Sequence, residues 1–209
     1  MTKEARDHVN SCLTDMLALE QQIEKEIGGQ LDDFKDEDPE VVSKLRAVHA
    51  QAEHHIAEIK QLLQARDTGA GREFAEAVKR VGATFRGFGA AAVDLVRIER
   101  LPRSLRDDYT ALNLALSGYV MLLTTARALD ANQPADLAER HLRHYAQAVM
   151  TVHDLIPRAV VTFLRDENLP LKGGNVLPEI QRTLEDIWKS PQTASAYGTA
   201  SSSAYTGNR

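Results

Sequence analysis

Glu20 is the first residue in this chain whose type and position could do chemistry. It lies between Met16 and Ile23, on the apolar stripe that the spacing predicts for a first helix. A buried, unpaired carboxylate costs several kcal/mol, so Glu20 calls for a partner: a metal ion, a histidine or an arginine. In a second helix, His49 falls beside Leu45 and Ala52, and Glu53 follows one turn on. His54 and His55 are adjacent, point about 100° apart, and cannot both face a core. His141 and His144 lie with Tyr145 near the start of a fourth helix. Carboxylates and imidazoles gathered in a helical core suit iron or manganese.

A dinuclear carboxylate centre in a bundle takes one Glu from each of two helices and a Glu-x-x-His from each of the other two. The third helix offers no Glu or Asp from Tyr109 to Leu129, only Asn113 and Ser117 among leucines. Three places after Glu53 stands Ile56, and three after Glu139 stands Leu142, not histidine. Half of the ligand set is missing. The residues therefore predict a degenerate site with no cofactor, a buried polar cluster of Glu20 with His49 or Glu53 and Asn113 opposite. The alternative is an iron or manganese site with oxidase or storage activity, drawing on Glu20, His49, Glu53 and His141. Without metal, Glu20→Leu is expected to be neutral or stabilising, because an apolar replacement removes a desolvation cost.

Nothing else in the sequence forms a reactive constellation. Cys12 falls near the apolar face of the first helix and reads as a small hydrophobe. Gly82, Gly87 and Gly89 are not followed by the Gly-Lys-Ser/Thr of a phosphate loop. His153-Asp154 reads as a solvated or capped pair. No catalytic residue is assigned; the residues favour a non-enzymatic role and leave enzymatic activity open.

The elements that must position these groups are helical. Val9, Leu13, Met16, Ile23 and Ile27 mark a first helix from about Lys3 to Ile27, with Gly28-Gly29 as its stop. Asp38-Pro39-Glu40 opens a second helix, with Asp38 as cap, ending near Arg66. Residues 72 to 101 form a long crossover with short helices of its own, closed by Leu101-Pro102. Ser104 caps a third helix, apolar nearly all round and so the most buried. Pro134 starts a fourth, which Pro157 should kink, and Pro178 starts a short last helix through Trp188. No alternating β pattern competes. The expected fold is an all-α, ferritin-like four-helix bundle over residues 1–189, two hairpins joined by one long connection.

Residues 190–209 are Ser, Ala, Thr, Gly and Tyr with little charge, the composition of a flexible tail. Ser195-Ala196-Tyr197 recurs as Ser203-Ala204-Tyr205. Tyrosine gives large contact area at low entropy cost, so Tyr197 and Tyr205 are candidate partner-binding residues through which the tail docks onto a protein assembly.

Composition sets outer limits. A chain of 209 residues with 43% hydrophobic and 26% charged residues suits one soluble domain with an appendage. One cysteine excludes an intrachain disulfide framework. No apolar run is long enough to span a bilayer, and the opening Met1-Thr2-Lys3-Glu4 has no apolar signal core. These features are read as cytoplasmic. A net charge of −5 argues against general nucleic-acid binding.

The chain also resembles the YciF-like group of bacterial ferritin-like proteins over about residues 5 to 168. The likeness rests on the helix order and on Leu17-Ala18-Leu19-Glu20-Gln21-Gln22, Ala52-Glu53-His54-His55-Ile56, Ser104 to Leu112 and Ala138-Glu139-Arg140-His141-Leu142. It implies an association with stress responses, a homodimer formed through the bundle, and, in some relatives, a carboxylate and histidine metal site.

Overall fold

The structure is a computed structural model, describing residues 1–66, 76, 79, 100–171 and 176–189. Five helices are described: α1 Lys3–Asp33, α2 Pro39–Ala65, α3 Arg100–Ala128, α4 Asn132–Asp166 and α5 Leu177–Lys189. No strand occurs among the described residues, so the all-α expectation holds. The expected crossover helices, the tail and its Tyr197 and Tyr205 lie outside the described residues.

α1 does not stop at Gly28-Gly29. The apolar stripe runs on through Ile27, Leu31 and Phe34, which all join the core, and burial outweighs the weak helix propensity of glycine. The helix closes where the Phe34 N–H donates to the Gln30 carbonyl at 2.8 Å. Gly28 serves packing: a Cβ there would sit 3.0 Å from His49 Nε2 on α2. A Cβ on Gly29 would meet nothing within 4 Å. Gly29→Ala is therefore expected to stabilise the protein by about 0.5–1 kcal/mol through helix propensity. Urea unfolding that shows a loss would mean the position needs its glycine.

α2 begins as its sequence dictates. Pro39 occupies the first turn, and the Asp38 carboxylate accepts from the Glu40 N–H at 2.9 Å. α3 starts earlier than expected, at Arg100, so Ser104 is an interior residue and not the cap. Pro102 falls in its first turn, where its missing N–H costs no intrahelical bond. α4 runs unbroken through Pro157, and Asp130, at φ 53°, turns the chain from α3 into α4.

The chain divides into two compact units, Met1–Leu169 and Pro170–Arg209. The first holds α1 to α4, and α5 belongs to the second. Within the first unit α1 packs on α2 and α3, and α4 packs on α2 and α3. Polar contacts fix the directions. Arg66 at the end of α2 reaches Asn10 near the start of α1. Gln30 near the end of α1 reaches Asp108 near the start of α3. Arg158 near the end of α4 reaches Asp38 at the start of α2. Each of these four helices thus runs antiparallel to both neighbours, and α2 and α3 point the same way.

Leu13, Ile23, Leu45, Ile59, Leu105, Leu112 and Leu122 fill the centre. α3 is less buried than its composition predicts: Val120 is 50% and Met121 70% exposed. Two neighbours cover two faces of α3 and leave this third one open.

Candidate functional site

Glu20 is fully buried at mid-height of α1 and gathers partners from the other three helices. From α3, the Tyr119 hydroxyl donates a very short hydrogen bond to Oε1. From α4, the Tyr145 hydroxyl donates to Oε2 at 2.6 Å. From α2, His55 Nδ1 lies 3.1 Å from Oε1. The helical period explains the convergence. His55 continues the buried row of Ala52 and Ile59, Tyr119 that of Ala115 and Leu122, and Tyr145 that of His141 and Val149. Of the two adjacent histidines, His55 faces the core, and His54 is 62% exposed on its side chain.

A second layer surrounds this centre. His141 is fully buried, its Nδ1 2.8 Å from Tyr119 Oη and its Nε2 2.8 Å from Glu58 Oε2. Arg140 donates to the other Glu58 oxygen at 2.9 Å. The rings of His55 and His141 stack with centroids 3.8 Å apart. His144 Nδ1 stands 3.0 Å from His55 Nε2, and the Gln51 amide donates to both nitrogens at 3.1 Å.

Electrostatics follow from this packing. Burial, and then the neighbouring Glu20 charge, push the Tyr119 and Tyr145 phenols well above their ordinary range, so both stay protonated. Burial pushes His141 down to about 3, with His55 adding to the shift. Burial and the same neighbour lower His144. Burial would raise Glu58, but hydrogen bonds from His141 and Arg140 outweigh it and hold the carboxyl at about 2. A neutral His141 has one N–H, which the ionised Glu58 claims at Nε2. Tyr119 then has one hydroxyl proton for two acceptors, Glu20 Oε1 and His141 Nδ1. Between these two acceptors the cluster is one donor hydrogen short.

The expected set is divided between two places. Glu20 and His141 belong to the buried cluster, where ligand atoms of Glu20, His55 and His141 lie within 4.8 Å of one another. His49 and Glu53 do not reach Glu20. His49 turns to the partly exposed edge of the bundle, 3.2 Å from Glu24 and 3.6 Å from Glu53. Asn113 donates to the Tyr109 carbonyl of its own helix at 2.7 Å rather than facing Glu20. Sequence reasoning missed Glu58 and Tyr119, and it named His55, His144 and Tyr145 without assigning them to the site. The signal was present as His55-x-x-Glu58 and His141-x-x-His144, the spacing sought on two helices but with reversed or altered residues. The tyrosines passed as apolar stripe residues.

The donor set bears on which ion fits. A dinuclear carboxylate centre needs several carboxylates to bridge and neutralise two cations. The centre has two, Glu20 and Glu58, with a phenol supplied by α3, and does not fit two ions. One carboxylate and two imidazoles, from Glu20, His55 and His141, fit a single divalent cation.

Comparison with known proteins agrees at the level of fold. A protein from Xanthomonas campestris pv. campestris str. ATCC 33913, known from its crystal structure, matches with a TM-score of 0.63 and 15% identity, over 79% of this chain and 99% of that one. No curated protein matches the sequence. A family described as a domain of unknown function, DUF892, matches residues 4–165, the whole run from α1 to α4, and the chain belongs to that family.

Proposed function

We propose that this is a ferritin-like bundle in which a hydrogen-bonded Glu–His–Tyr cluster has replaced the dinuclear centre, and that its role is structural or in protein interaction rather than in oxidation or iron storage. The observation that carries this is the saturation of Glu20: both oxygens accept from protein groups on three other helices. The antiparallel arrangement of the helices supports the fold assignment. Exposed Val120 and Met121 on α3 support a homodimer, and the paired Ser-Ala-Tyr units support an interaction role for the tail.

A second reading has one specific support. The proton deficit at Tyr119 would be relieved by a single cation held by Glu20, His55 and His141. Such an ion would supply Lewis acidity, and the two phenols and Glu58 would orient its ligands.

Metal analysis of protein purified without chelator separates these readings. Less than one equivalent of iron or manganese per chain is expected, with no ferroxidase activity. One tightly held equivalent, lost in His55→Ala, would select the second reading, and two equivalents would overturn both.

A further inference from the structure

At the other end of the α1–α3 contact lies a buried acid that the central cluster does not use. Asp108 is only 4% exposed. Gln30 of α1 donates from Nε2 to Asp108 Oδ1 at 2.8 Å. The remaining oxygen of each group, Asp108 Oδ2 and Gln30 Oε1, is buried and has no hydrogen-bond partner. Two orphaned acceptors on one bonded pair are costly. A carboxamide and a carboxylic acid can close a ring of two hydrogen bonds, one N–H···O and one O–H···O. The ring requires one proton on the acid, and that proton satisfies both orphans at once.

We infer that Asp108 is held as a neutral acid whose Oδ2–H donates to Gln30 Oε1, forming a pH-sensitive clasp between the last turn of α1 and the first turns of α3. The surroundings favour the neutral form. Burial raises the Asp108 carboxyl from 3.8 to about 7, with the Gln30 bond opposing and the charges of Asp107 on the same helix and Glu26 on α1 adding to the rise. On the α4 side of this stretch, the His153 ring lies 5.7 Å from that of Tyr109, with Asp154 3.2 Å from the imidazole. Arg100 is engaged by Asp33 at 3.0 Å.

The sign follows from proton counting. Between about 4 and 7 the native state binds the proton and the unfolded state releases it, so this group's contribution to stability falls as pH rises through that window. Above it the carboxylate is ionised in place, Oδ2 and Oε1 repel, and the clasp opens. Ionisation near neutrality therefore loosens one end of the bundle while the central cluster stays closed.

Asp108→Asn tests this, because an asparagine amide closes the same ring at every pH. Relative to that variant, the wild-type Tm should fall by on the order of 5 °C between about pH 5 and about pH 8. Carbon NMR of the Asp108 carboxyl in the intact chain should titrate with a midpoint near 7. A midpoint in the ordinary carboxylate range overturns the inference. So does an Asn variant that is less stable than wild type at the higher pH, since it would mean that an ionised Asp108 holds a cation or another donor there.

Discussion

Glu20→Leu is expected to destabilise the protein by about 3–5 kcal/mol, the sum of penalties for buried donors that lose their acceptor. This reverses what the sequence implies for a carboxylate on an apolar stripe with no partner in view. Glu20 is the acceptor for Tyr119, Tyr145 and His55. Leucine leaves the Tyr145 hydroxyl without its acceptor and costs His55 its Nδ1 contact, and each orphaned buried donor carries a penalty of about 1–3 kcal/mol. Tyr119 keeps His141 and suffers less. Urea unfolding measures the loss directly. The triple variant Glu20→Leu, Tyr119→Phe, Tyr145→Phe should recover much of it, since acceptor and donors leave together. A single variant as stable as wild type would mean that the cluster does not hold the helices.

Acid should weaken the bundle through the same cluster. His141 is pushed down to about 3 from 6.5. As pH falls below 6.5 the unfolded chain takes up a proton that the native imidazole refuses, so stability is lost progressively until about pH 3. Glu58, held at about 2 against 4.5, adds its own loss below 4.5. The His141 part alone amounts to on the order of 3–5 kcal/mol. Asp108 acts in the opposite direction over an overlapping window, so wild-type profiles mix two signs. Denaturant unfolding in the Asp108→Asn background isolates the cluster. Stability that stays level from pH 7 to pH 4 in that background would show that His141 is not held neutral, and His141→Phe should flatten the profile if it is.

Much of the frame was legible in the residues. Asp38-Pro39 announces the start of α2, the apolar period announces four long helices, and Glu20 stands out because a carboxylate interrupts a buried stripe. The rule that adjacent helical residues point about 100° apart correctly says that His54 and His55 divide between surface and core. Other features need the third dimension. Gly28-Gly29 reads as a stop, yet Ile27, Leu31 and Phe34 bury enough surface to carry the helix past it. His49 shares a face with Leu45 and Ala52 in projection, but its imidazole turns out to the edge, toward Glu24. Tyr119 and Tyr145 count as hydrophobic by period and become polar only through where their hydroxyls end. Which tyrosine meets which carboxylate depends on how two hairpins dock, and one helical period carries no information about that.

The central cluster also acts as a length standard. Each hairpin brings an incomplete part: Glu20 and His55 from α1 and α2, Tyr119, His141 and Tyr145 from α3 and α4. Leucine ridges tolerate a slide, because one apolar contact replaces another at similar energy. A slide of one residue moves a helix by about 1.5 Å, more than the slack in hydrogen bonds of 2.6–2.8 Å. Such a slip would part Tyr119 and Tyr145 from Glu20 together and strand their hydroxyls in an apolar interior. The hydrophobic residues make the four helices associate, and the polar ones select a single vertical alignment from the many that greasy surfaces would accept.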